Sequence, residues 1–196
     1  MILSDKEIRQ AIKRGRIAVT PEPLPEQFTS SALDLRLGEK LFKWIPATEL
    51  AAVSPPGLER PVLIDPSKIS DPHLIFNTCT REVPYEADHS YVLKPKELVL
   101  GATMETISLP RGSKLAARVE GRSTLARCGL VVHLTAPVIH AGFKGVIVLE
   151  MYNFGEHPIK LVPGARYCQL VFEKLSQIPG AEPATKYQSQ RGVQKK

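Results

Sequence analysis

The sequence predicts a mainly β fold, a barrel or jelly roll, with one short helix at the start and a mobile arm at the end. Two observations predict it. From Ser90 onward, short β-type runs follow one another at turn-sized spacing, with Gly and Pro rather than helix-length connections between them. The clear helical period is confined to the first dozen residues.

The elements follow in order. Ser4, Asp5, Lys6 and Glu7 form a capping-box pattern, with Ile8, Ala11 and Ile12 at helical spacing before Gly15. After the proline-broken stretch PEPLPEQ, residues Ser31 to Leu37 alternate. Leu33, Leu35 and Leu37 fall on one face and Asp34 and Arg36 on the other, a half-buried strand ended by Gly38. From there to about residue 90, Pro55, Pro56, Pro61, Pro66, Pro72 and Pro84 interrupt short apolar pieces, which predicts hairpins and loops. The runs YVLKPKELVLGATMETISL, KLAARVEG, GLVVHLTA, GVIVLEMYN, IKLVPG and CQLVFEKL then read as strands. Residues 1–175 make one domain, and 176–196, without an apolar period, make a C-terminal arm.

Composition narrows the function. With 196 residues, 43% of them hydrophobic, and only 17 Pro and 13 Gly, the chain can bury a core without staples and is neither collagen-like nor disordered. The start MILSDKEIRQ carries charges where a signal peptide needs an apolar run, and no apolar stretch is long enough to cross a bilayer. The expectation is a cytoplasmic protein with no membrane partner. Cys79, Cys128 and Cys168, odd in number and far apart, read as reduced and mostly core residues. The net charge of +6 points to a polyanion. With no Lys/Arg block before the terminal RGVQKK and 6% aromatics, that polyanion is a compact phosphate ligand rather than a nucleic acid.

The usual catalytic motifs are missing: GxSxG, GxxxxGK, GxGxxG and HExxH, and also the HxE and PCxxC that hold zinc in nucleobase deaminases. Two segments remain. In Glu120-Gly121-Arg122-Ser123-Thr124-Leu125-Ala126-Arg127, Gly121 permits a tight backbone, two hydroxyls can donate to phosphate oxygens, and two guanidiniums offer planar forks. The competing reading is a solvated turn with scattered charges. In the segment from Thr135 to Glu150, strand alternation puts Glu150 on one face with Val146 and Val148. A carboxylate in apolar company is costly unless functional, paired or exposed. Kept from water, it would hold its proton more tightly and suit general base and acid work; on an edge strand it would simply face solvent. His140 reads first as loop architecture, and Asp34 as a structural acid pairing with a turn or an arginine.

In that order along nearly the whole chain, MILSDKEI, SALDLRLG, EGRSTLAR, TAPVIHAGFKGVIVLEMYN, GARYCQLVFE and KYQSQRG resemble the dCTP deaminases of the dUTPase-like trimeric superfamily. The resemblance implies a dUTPase-like distorted barrel or jelly-roll core of the β-clip type, and a homotrimer with active sites shared between subunits. The implied reaction removes the 4-amino group of dCTP as ammonia and leaves dUTP, with no catalytic metal and with Mg2+ only as companion of the triphosphate. Glu150 matches the catalytic glutamate that activates water for attack on C4 and shuttles protons. Ser123 and Arg127 match groups that position and stabilise the reacting centre, Arg122 and Thr124 the phosphate-facing part of the same motif, and Ala136 a backbone carbonyl near the amino group and the water. Gln169, Lys186 and Gln190 match triphosphate contacts, the last two from an arm that folds over the nucleotide. The resemblance also implies dTTP as a feedback inhibitor. Relatives that also cleave the triphosphate have Asp where this chain has His140, which favours a deaminase that stops at dUTP. The alternatives are a bifunctional deaminase and diphosphatase giving dUMP and pyrophosphate, and a non-catalytic nucleotide-sensing trimer.

Overall fold

A computed structural model of the chain describes residues 1–53, 64–65, 72–181 and 189–193. Helix α1, Asp5–Lys13, starts on the expected capping box: Ser4 Oγ accepts from the Glu7 amide at 3.4 Å while Glu7 Oε2 accepts from the Ser4 amide at 3.0 Å. Its Ile8 and Ala11 face the core. The strands are β1 (Ala18–Thr20), β2 (Leu33–Arg36), β3 (Phe42–Trp44), β4 (Thr80–Glu82), β5 (Tyr91–Leu93), β6 (Leu98–Ser108), β7 (Leu115–Gly121), β8 (Leu130–Val131), β9 (Val138–Ile139), β10 (Lys144–Asn153), β11 (Ile159–Leu161) and β12 (Arg166–Lys174).

They pair antiparallel into three sheets. The largest runs β4-β3-β6-β10-β8 with β1 also on β6; β2-β12-β7-β9 is the second, and β11-β5 a small third. The core between them takes Leu33, Leu35 and Leu37 from β2 and its end, Leu149 and Met151 from β10, and Leu170 and Phe172 from β12, each fully buried. Period-two alternation in the sequence thus became inward-facing residues of packed antiparallel sheets. The chain start is sewn to β12: the Leu3 amide donates to Phe172 O and the Lys174 amide to Met1 O.

Two expectations need correction. Among the described residues, the stretch from 39 to 90 holds two helices besides its strands, α2 (Ala47–Val53) and α3 (Pro72–Cys79). Pro46 and Pro72 stand at helix starts, where a missing amide proton costs nothing and the fixed φ favours the helical turn. The strand predicted over 31–37 is shorter, and its second face is covered as well: Asp34 is only 2% exposed. Arg36, the other polar residue of β2, reaches the fully buried Glu105 with Nε–Oε1 at 2.7 Å, and the Arg36 amide donates to Glu105 Oε2 at 2.9 Å.

Candidate active site

At its C-terminal end β7 turns through Gly121 into the single-turn helix α4, Ser123–Arg127, with Arg122 as its extended cap. Ser123, Thr124 and Arg127 are exposed there, which presents two hydroxyls and one guanidinium to solvent. Arg122 folds back instead. Its Nε lies 3.4 Å from Asp34 Oδ2 and its Nη1 donates to the Arg166 carbonyl at 3.0 Å. The cause is register: β12 lies between β2 and β7, so Gln169 stands opposite Asp34 on one side and Glu120 on the other. Gln169 Nε2 donates to Gly121 O at 3.2 Å, which fixes the strand end from which Arg122 departs.

Asp34 is the acid beneath this cluster, paired with arginines as the sequence predicts. Arg166 Nη1 approaches the same Oδ2 at 3.5 Å, while Oδ1 is buried without a hydrogen-bond partner. Burial pushes the Asp34 carboxyl above the usual carboxylate range, with Arg122 and Arg166 pulling the other way.

Glu150 lies on the other large sheet. It stands in β10 opposite Leu100 of β6, on the face shared with Val148 and away from the core face of Leu149 and Met151. The carboxylate is half-buried rather than enclosed, and at this point β10 is paired only with β6, since its pairing with β8 is confined to Tyr152 and Asn153. Its Oε2 accepts from the Leu134 amide at 3.4 Å. That bond ties it to the 131–137 loop, two residues before the exposed Ala136. A long bond to one backbone donor leaves most of the carboxylate free for other partners. His140 closes the following turn through its carbonyl, which accepts from the Phe143 amide at 3.1 Å, and its side chain is exposed.

The described part of the arm lies along β10. The Ser189 amide donates to Lys144 O at 2.6 Å, the Val146 amide to Gln190 O at 3.1 Å, and Gln190 Nε2 to Val146 O at 2.8 Å. Gly145 lies directly beneath Gln190. Val193 is buried against Phe42 and Leu100, on the sheet face that also carries Val148. Near its root the arm is held by Arg111, whose guanidinium donates to the carbonyls of Pro179 and Gly180. Lys186 lies outside the described residues.

The predicted residues therefore form two groups. Arg122, Ser123, Thr124, Arg127 and Gln169 gather at one end of the four-stranded sheet; Glu150, the Ala136 loop and Gln190 gather on the six-stranded one. Among the described residues, no hydrogen bond or ion pair joins Glu150 to Arg122, Ser123 or Arg127. Sequence reasoning missed Arg166, which stands 132 positions from Asp34 and meets it only through the β2–β12 pairing. It also missed Arg111. Of the cysteines, Cys79 and Cys168 are buried as expected and Cys128 is exposed beside α4.

By class this is a mainly β protein built of antiparallel sheets. The solved structure of 2′-deoxycytidine 5′-triphosphate deaminase from Agrobacterium tumefaciens superimposes with a TM-score of 0.64 at 22% identity over 88% of this chain, which spans about half (47%) of that one. Within the class, the chain belongs to the dCTP deaminase-like family, whose model matches residues 2–175. It is 36% identical over 98% of its length to a protein from Dictyoglomus thermophilum called dCTP deaminase, dUMP-forming, and covers 92% of it. A Streptomyces griseus protein of the same name is 39% identical over 98% of this chain and 92% of its own. A Natronomonas pharaonis protein called dCTP deaminase is 37% identical over 99% of this chain and 93% of its own.

Proposed function

We propose that this chain hydrolyses dCTP, releasing the 4-amino group as ammonia, and carries the product on to dUMP and pyrophosphate. Family membership supports the deamination, and the names of the relatives from D. thermophilum and S. griseus favour dUMP over dUTP as the end product. The observation that carries the reading is Glu150: a strand-borne carboxylate, half open and tied by one long bond to the loop of Ala136.

The chemistry asks little more of the protein than a positioned base, an oriented water and stabilised charge. Glu150 takes a proton from water as its oxygen attacks C4, passes that proton to N3, and then helps protonate the amine, which leaves as ammonia while the C4 carbonyl forms. The Ala136 carbonyl orients the water and the amino group, and Ser123 and Arg127 hold the reacting centre. Arg122, Thr124, Gln169, Lys186 and Gln190 bind the triphosphate, which brings Mg2+ with it as part of the substrate. Because no hydrogen bond or ion pair joins Glu150 to the Ser123–Arg127 turn within one chain, a homotrimer in which a neighbour completes the site fits. The exposed Leu134 and Val138 beside the loop supply apolar surface for such contacts. Residues 1–175 act as the catalytic domain and 176–196 as the arm over the nucleotide, dTTP competes for the same pocket, and the work belongs in the cytoplasm.

A second reading, a deaminase that stops at dUTP, is favoured by His140, since imidazole replaces the acid that would activate water toward phosphorus. Incubating the protein with dCTP and with dUTP, and scoring ammonia, dUTP, dUMP and pyrophosphate separately, decides. Ammonia together with dUMP and pyrophosphate is expected. Accumulating dUTP selects the second reading, and nucleotide binding without ammonia would leave only a sensing trimer.

A further inference from the structure

We infer that Arg166 is the second guanidinium of a two-arginine fork for the triphosphate, held together with Arg122 by the buried carboxylate of Asp34. This rests on the nucleotide reading above and adds to it a residue of the GARYCQLVFE segment to which the resemblance gave no role.

The geometry is asymmetric. One oxygen of a carboxylate that is 2% exposed faces two guanidiniums at 3.4 and 3.5 Å, longer than the roughly 2.7–2.9 Å of a closed charge-assisted bond. Its other oxygen has no partner. Asp34 therefore aims both cations at one place without using up their donors. Each guanidinium is further fixed by a single carbonyl: Arg122 by that of Arg166, Arg166 by that of Glu26. Five N–H donors on each side chain leave several for a ligand.

Charge points the same way. Two cations share one buried anion, and both side chains are about a third exposed, at 34% and 36%, so a net positive charge meets solvent there. Gln169, three residues after Arg166 on β12, brings a neutral amide that donates to Gly121 O beside Arg122. A cluster built for stability alone would close the ion pairs and satisfy Oδ1. This one keeps two planar forks converging on one carboxylate oxygen, on Arg122 directly before Ser123 and on Arg166 of the neighbouring strand, and such forks match tetrahedral phosphate oxygens.

Two variants of the full chain test this, Arg166→Gln and Asp34→Asn, the first removing one fork and the second loosening the tether of both. Calorimetric titration with inorganic tripolyphosphate, and with dCTP against deoxycytidine, is the readout besides turnover, with the melting temperature as control. Arg166→Gln is expected to weaken tripolyphosphate and dCTP binding on the order of tenfold, to leave deoxycytidine unaffected, and to raise KM with little change in kcat. Asp34→Asn is expected to do the same more weakly. Unchanged tripolyphosphate affinity in a folded Arg166→Gln protein overturns the fork, and an equal loss for deoxycytidine overturns it too. The two readings fail separately: wild-type protein that binds tripolyphosphate through Arg166 but releases no ammonia from dCTP refutes the deaminase, not the fork.

Discussion

Asp34 and Glu150 are both acids on strands, both flanked by apolar neighbours in sequence, and they have opposite fates. Asp34 sits beneath two arginines at 2% exposure, and its oxygens face protein only. Glu150 stands half open on the outer face of β10 with one long bond from a loop amide. The difference teaches where reactivity resides. An acid engaged by fixed cations can orient them but is not free to exchange protons with a substrate. An acid with unsatisfied lone pairs at a surface is free to do so, provided something covers it during the reaction.

The sharpest way to break the comparison is Glu150→Gln. Loss of ammonia release by roughly a thousandfold is expected, the scale of a missing general base and acid, with nucleotide binding and melting temperature close to wild type. Undiminished turnover would return Glu150 to the status of a surface residue.

Asp34→Asn tests the other half through stability. Because the folded carboxyl is raised above its ordinary 3.8, the folded chain holds a proton that the unfolded chain sheds between 3.8 and the raised value. Its contribution to stability is therefore full below 3.8 and falls as pH rises through that window. Asparagine mimics the neutral form, so at pH 7 the variant is expected to match or exceed wild-type stability by up to about 1 kcal/mol. It should also lack the fall with rising pH. Denaturation midpoints across pH 3–7 check both points, and a strongly destabilised variant would make Asp34 a structural ion-pair partner first.

The smallest effect is expected from Glu7→Gln, a surface contrast to Asp34. Lys174 and the Ser4 amide lower the Glu7 carboxyl from 4.5 to about 2, so its stabilising effect is present above 4.5 and lost as pH falls toward 2. The substitution should flatten that acid limb slightly in the same denaturation series; an unchanged limb would show the pair contributes nothing.

Much of this was legible in the sequence where the signal is local. The capping box at Ser4 and the strands after Ser90 need only neighbours a few residues away. The helices at 47–53 and 72–79 were not legible because proline was weighed as a breaker, although at a helix start it is tolerated. For the site, Glu150 and the Ser123–Arg127 turn were visible as residue types in a pattern. The exposure of Glu150 was not, since it depends on which sheet face the core takes. Arg166 was invisible for a stronger reason. Its role depends on two strands more than a hundred residues apart meeting in a particular register, and a β-bulge between Arg166 and Cys168 re-aims the side chain at the strand end.

Gly145 carries a consequence for the arm. A β-carbon there would lie 3.1 Å from the Gln190 carbonyl oxygen and 3.2 Å from its amide nitrogen, so any side chain at 145 would require the backbone that rests on it to give by a few tenths of an ångström. Part of the instruction that seats the arm is thus stored in the strand as a missing atom, beside the Gln190 amide and the buried Val193 that the arm itself brings. With the arm's own sequence unchanged, one added methyl group in β10 would press on the berth of Gln190.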